Sequence, residues 1–128
     1  MTCLLDTHTY IWIRVAPGLL SKRAHEILSD NSSEILISPV IPWEIAIKVG
    51  AGKLDIGGLL VNFEERETAD GFTIAEISIA QTIASGLLPR HHGDPFDRLL
   101  IAQSLDLNVP IISNDRTFDR YGVQRIWA

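Results

Sequence analysis

Five acids stand out by where they fall: Asp6, Glu44, Asp94, Asp97 and Asp115. Each one borders a short apolar run or lies near the start of a helical pattern, so all five are expected near the ends of elements. Carboxylates brought within ~4–6 Å of one another raise each other's pKa, and the charged forms then call for a cation. Mg²⁺ typically takes one or two carboxylates and completes its shell with water and phosphate oxygens. Ions held in this way activate water and stabilise the leaving oxygen when a phosphodiester is hydrolysed. Metal-assisted phosphodiester hydrolysis is the chemistry these residue types suggest.

Each acid also has a purely structural use. Asp6 is placed to cap the helix that follows it. Glu44 has Lys48 at i,i+4 for an exposed ion pair. Its other neighbours, Val40, Ile41, Trp43, Ile45, Ala46, Ile47 and Val49, make that helix apolar almost all round. A lone acid there is costly without a partner. Asp94-Pro95 is an N-cap followed by an N1 proline, and Asp97 falls at N3, where a capping-box acid sits. Three residues apart, Asp94 and Asp97 share a helical face. Asp115 is placed to open a turn, with Asp119 at i+4. The structural uses do not account for all of these acids falling at one end of one sheet. No Lys or Arg adjoins Asp6 or Glu44 in the chain, whereas Arg98 adjoins Asp97 and Arg116 adjoins Asp115. Ser113 suits either orienting a neighbouring carboxylate or capping a turn. His91-His92 is a poor zinc pair, since the chain has one cysteine and no His-x₃-His helix. With Arg90, these histidines are expected on an exposed loop that can touch phosphate. Trp12, Trp43 and Trp127 read as core or interface residues.

The elements that must position these residues follow from the apolar pattern. Cys3-Leu4-Leu5 reads as a buried strand ending at Asp6, and Thr7 to Val15 as a helix stopping near Pro17-Gly18. Ser21 caps a second helix. Residues 34–37 form a second strand, and Ser38-Pro39 opens a helix reaching about Val49. Leu59 to about Ala69 reads as one helix with an exposed acidic face at Glu64, Glu65 and Glu67. Phe72 to Ile77 alternates as a strand. Ser78 to Leu88 is a helix, and Asp94-Pro95 opens another through Leu107. A strand over Val109–Ile112 precedes helical turns from Asp115 to Tyr121, which Gly122 ends. Val123 to Trp127 forms a last edge strand. Strands alternating with helices imply an α/β fold, with a mostly parallel sheet of about four or five strands covered on both faces. Ligands in such folds sit beyond the carboxyl ends of the strands.

With 128 residues, 46% hydrophobic and 21% charged, the chain is long and apolar enough for one packed domain over residues 1–128. The lone Cys3 excludes an intrachain disulfide. There is no apolar run of the ~20 residues that span a bilayer, and the N-terminal residues lack the basic region of a secretory signal. A soluble, cytoplasmic protein with no membrane partner is expected. Eleven basic against sixteen acidic residues give a net charge of −5, which argues against nucleic-acid binding through bulk positive charge. It leaves open an approach to phosphate through bound cations, which formal charge counts omit.

Four stretches together resemble the PIN-domain nucleases, and more narrowly the VapC-type toxin ribonucleases of prokaryotic toxin–antitoxin pairs. They are Leu4-Leu5-Asp6-Thr7-His8, Ser38-Pro39-Val40-Ile41-Pro42-Trp43-Glu44-Ile45, the run from His92 to Gln103 through Asp94-Pro95-Phe96-Asp97-Arg98, and Ser113-Asn114-Asp115. The resemblance covers essentially the whole chain, and Asp-Pro-Phe-Asp-Arg is its most specific part. It implies a three-layer α/β/α fold in which Asp6, Glu44, Asp97 and Asp115 match the family's metal-binding acids, with no departure at these positions. Asp94 matches an extra acid that is either a further ligand or only the helix cap, and Ser113 matches a small hydroxyl residue that supports the site. It further implies Mg²⁺ or Mn²⁺ as cofactor and endonucleolytic hydrolysis of RNA by an activated water. The implied role is the toxin of a type II toxin–antitoxin system. A homodimer is implied, joined by a cognate antitoxin protein into a heterotetramer or larger complex. On this reading Arg98, Arg116 or His92 steadies the phosphate backbone.

Two other readings use the same residues. An aspartyl phosphotransferase with Asp6 as nucleophile usually needs a second acid two residues on, where this chain has His8. A non-catalytic regulatory module would use the acids as helix caps and as a surface for a protein partner.

Overall fold

The computed structural model describes residues 1–128. Five short strands form one sheet: β1 (Thr2–Leu5), β2 (Glu34–Ile37), β3 (Thr73–Ile74), β4 (Ile111–Ile112) and β5 (Arg125–Ile126). Their order is β3-β2-β1-β4-β5, and every neighbouring pair is parallel. The helices are α1 (Thr7–Val15), α2 (Lys22–Ser29), α3 (Val40–Gly50), α4 (Phe63–Ala69), α5 (Ile79–Leu87) and α6 (Pro95–Leu107). Short 3₁₀ segments lie at Pro17–Leu19, Gly57–Leu60 and Arg116–Tyr121. The result is the expected three-layer α/β/α arrangement. No helix is long and apolar enough to cross a membrane.

The period-two alternation of strand side chains divides the core. Cys3, Leu5, Ile35 and Ile37 point into one cluster with Tyr10, Ala24, Ile41 and Ile45. Leu4, Leu36 and Ile111 point into the other with Leu99, Leu100, Ile101, Phe118 and Tyr121. A sheet buried on both faces explains why the strands are apolar runs and not alternating ones.

Three local expectations change. The helix expected from Leu59 to Ala69 is broken, because Asn62 takes a left-handed conformation (φ 49°) between the 3₁₀ segment and α4. The strand expected over Phe72–Ile77 shrinks to Thr73–Ile74 at the sheet edge. Glu67 does not join Glu64 and Glu65 on an exposed face. It is fully buried, accepting hydrogen bonds from Tyr10 Oη (2.5 Å), Arg14 and Arg66. This arrangement ties α4 to α1, and burial against Glu67 pushes the Tyr10 hydroxyl up to about 12.

Candidate active site

The register of the central strands builds the site. Leu5 of β1 pairs with Ile112 of β4, so the next residues, Asp6 and Ser113, emerge side by side at the carboxyl edge. The sheet order turns there, with β2 on one side of β1 and β4 on the other, and this is where parallel α/β sheets open a crevice.

Asp6 is buried and held on both oxygens. Oδ1 accepts from Thr9 N–H at 2.8 Å, capping α1, and Oδ2 accepts from Ser113 Oγ at 2.5 Å. Burial pushes its carboxyl pKa up, while the Ser113 and Thr9 hydrogen bonds pull it down. Ser113 also accepts from Asp115 N–H at 3.0 Å, so it performs both uses left open for it. Asp115 is exposed, and its carboxylate caps the following 3₁₀ segment at Thr117 N–H (2.9 Å). An open cleft of about 270 Å³ is lined by Asp6, His8, Trp12, Asn114 and Asp115.

Glu44 is 3% exposed on α3. Thr7 Oγ1 donates to Oε1 at 2.6 Å, and Lys48 Nζ donates to Oε2 at 2.6 Å. The i,i+4 pair therefore forms, but with the acid inside and only the lysine reaching solvent. The Glu44 hydrogen bond, the largest favourable influence, holds the Lys48 pKa above its usual range, helped by the charges of Asp94 and Asp97. Thr7 is a site residue the spacing argument missed; its adjacency to Asp6 was the available signal.

Asp94 caps α6 through Phe96 N–H (2.9 Å) and Asp97 N–H (3.0 Å). Asp97 sits one turn in, and burial together with the charges of Asp94, Glu44, Asp6 and Asp115 pushes its pKa up to about 8. His92 Nε2 lies 3.3 Å from Asp97 Oδ2.

The three residues expected to touch phosphate separate here. Arg116 is exposed beside Asp115, and His92 contacts Asp97. Arg98 is turned away from that use. It is 6% exposed, and its guanidinium donates to the carbonyls of Ser85, Leu88, Pro89 and His92. A buried guanidinium spent on these carbonyls is not free to meet a ligand. Among the tryptophans, Trp43 is half exposed and packs edge-on against Phe96 at 4.9 Å, next to Glu44 and Asp97 in the chain.

The donor set is all carboxylate and hydroxyl oxygen, which suits Mg²⁺ or Mn²⁺ and not zinc. No three carboxylate, imidazole or thiol groups converge to enclose an ion by themselves.

The architecture is that of a parallel α/β/α domain with Asp6 and Asp115 beyond the carboxyl ends of its two central strands. The family follows from the sequence: the PIN domain model matches residues 3–124, and the chain belongs to the PIN-domain family. Among solved structures, a chain of VapBC2 from Rickettsia felis, bound to a DNA fragment from the promoter, is similar with a TM-score of 0.71 and 18% identity, over 100% of both chains. A chain of VapBC-1 from nontypeable Haemophilus influenzae gives 0.65 and 15%, over 98% of this chain and 97% of that one. A chain of FitAB bound to the IR36 DNA fragment gives 0.62 and 16%, over 98% and 94%. No curated protein matches the chain in sequence.

Proposed function

We propose that the protein is a metal-dependent endoribonuclease, the toxin of a type II toxin–antitoxin pair. The observation that carries this reading is the open cleft at the carboxyl edge of β1 and β4, lined by Asp6 and Asp115, whose charges with those of Glu44 and Asp94 also act on Asp97. The charges of Asp94, Glu44, Asp6 and Asp115 each disfavour an ionised Asp97, an electrostatic cost that a divalent cation would reduce. The likeness to chains of VapBC and FitAB complexes supports the toxin assignment through the shared fold.

On this reading Asp6, Asp97, Glu44 and Asp115 would hold Mg²⁺ or Mn²⁺. Asp94 stays primarily the cap of α6. The ion, when bound, supplies Lewis-acid polarisation and charge neutralisation for attack of water on the phosphodiester. The chain's own residues hold the geometry: Ser113 and Thr9 fix Asp6, and Thr7 and Lys48 fix Glu44. Arg116, exposed and next to Asp115 in the chain, is the candidate for meeting backbone phosphate. Net charge −5 makes RNA binding dependent on the cation.

The same reading includes a cognate antitoxin and a homodimer, with larger complexes built from both. Ile79 and Leu87 of α5 are 80% and 81% exposed, with Ile83 between them at 58%. Residues 77–88 carry no charge, so a second copy can bury this stripe without setting like charges against each other.

The test is cleavage of a labelled total-RNA pool by purified, antitoxin-free protein with EDTA, Mg²⁺ or Mn²⁺, beside Asp97→Asn. Discrete cuts that need the ion and vanish in the variant are expected. A folded protein that cuts nothing in any metal transfers the case to the regulatory-module reading, which the caps made by Asp6, Asp94 and Asp115 favour.

A further inference from the structure

Each of the three inward acids is met by donors from elsewhere in the chain. Ser113 meets Asp6, and Thr7 with Lys48 meets Glu44. Asp97 has one side-chain partner from outside its own helix turn, His92, whose Nε2 lies 3.3 Å from Oδ2. We propose that His92 is a positioning residue for Asp97: Tyr121 holds the imidazole, and its Nε2 edge fixes the Asp97 side chain in place for the cation. The inference rests on the metal-dependent reading above and adds a residue to it.

The Tyr121 hydroxyl is the hub that orients this ring. It lies 3.1 Å from His92 N–H and 3.4 Å from Arg98 Nη1, both of which can only donate, so it accepts from them. It also lies 2.5 Å from His92 Nδ1. With Nδ1 held there, the opposite ring nitrogen, Nε2, faces Asp97 Oδ2 at 3.3 Å.

The ring is also held in space. His92 lies on the connection between α5 and α6, where a loop would ordinarily be mobile. Arg98 ties that connection down at Ser85, Leu88, Pro89 and His92. His91 adds an edge-on contact to the Tyr121 ring at 4.9 Å. Arg98 follows Asp97 directly on α6, so the residue that anchors the loop and the acid the loop serves move as one body.

Hydrogen-bond partners of metal-binding carboxylates typically contribute 10- to 100-fold in ion affinity. The test uses the full chain: Mn²⁺ binding by calorimetry for wild type, His92→Ala, His92→Gln and Tyr121→Phe, with thermal unfolding of each metal-free protein. His92→Ala is expected to weaken Mn²⁺ about 10- to 100-fold with little change in Tm. His92→Gln, whose amide donates from a similar place, recovers part of the loss, and Tyr121→Phe falls between. Wild-type Mn²⁺ affinity in folded His92→Ala overturns the inference, as does a His92→Gln variant that recovers none of the loss. A wild type that binds Mn²⁺ but cuts no RNA overturns the nuclease reading alone, and one that binds no Mn²⁺ overturns both.

Discussion

Ser113 and Asp6 are 107 positions apart and share a 2.5 Å hydrogen bond across the carboxyl ends of the two central strands. The same serine oxygen accepts from the Asp115 backbone, so one hydroxyl orients the first acid and the turn that carries the fourth. Ser113→Ala removes both contacts. We expect ion affinity and cleavage to fall about 10- to 100-fold. Stability should fall by about 1–2 kcal/mol, since a buried carboxylate oxygen loses its donor. Urea unfolding beside a Mn²⁺ titration separates the two effects.

Lys48 is the cation that answers a buried glutamate. Lys48→Met keeps the aliphatic stem and leaves Glu44 with Thr7 alone. The metal-free protein is expected to lose about 1–3 kcal/mol, as for a buried charged group losing a partner. Added Mg²⁺ should recover part of that loss by replacing the positive charge. Denaturant curves with and without Mg²⁺ check it, and equal losses in both would show that Glu44 is out of the ion's reach.

Arg98 illustrates a basic residue whose position beside a site acid invites the wrong role. Arg98→Ala removes a buried side chain and leaves four half-buried or exposed carbonyls without their donor, so a stability loss of about 1–3 kcal/mol is expected. A folded Arg98→Lys variant should bind RNA in the presence of Mn²⁺ as the wild type does. Strongly weakened RNA binding in that variant, with Mn²⁺ affinity intact, would return the residue to the phosphate-binding set.

The Asp97 carboxyl, pushed up to about 8 from an ordinary value of 3.8, makes metal-free stability fall with rising pH. Between those values the native state holds a proton that the unfolded chain has released, so the slope of stability against pH is negative. The contribution is fully present below the ordinary carboxylate value and lost as pH rises through about 8. Asp97→Asn should flatten this dependence. It should stabilise the metal-free protein at alkaline pH by on the order of 1 kcal/mol, a few degrees in Tm, while abolishing cleavage. Thermal unfolding in EDTA from about pH 5 to about pH 9 measures the slope across that window.

The uncharged α5 stripe makes a separable prediction. Ile83→Glu places a charge between Ile79 and Leu87, on an exposed face where the folded monomer loses little. Sedimentation is expected to show a shift from dimer to monomer with an unchanged circular dichroism spectrum. A variant that stays dimeric moves the interface elsewhere.

Much of this protein is written locally. The run Cys3-Leu4-Leu5 ending at Asp6, the caps at Ser21 and Ser78, and the Asp94-Pro95 start of α6 are decisions made within a few residues, by backbone propensity and unsatisfied N–H groups. They suffice for a parallel α/β sheet, and parallel crossovers carry the acids that follow strands to one edge. Which side chain meets which acid depends on register and packing between segments far apart. Glu67 has the sequence context of a surface glutamate and becomes buried only because Tyr10 and Arg14 of α1 arrive to satisfy it. Ser113 finds Asp6, Thr7 finds Glu44 and Tyr121 finds His92 across 107, 37 and 29 positions. A hydrogen bond needs its partners within a few tenths of an ångström, and only the assembled core sets distances to that tolerance.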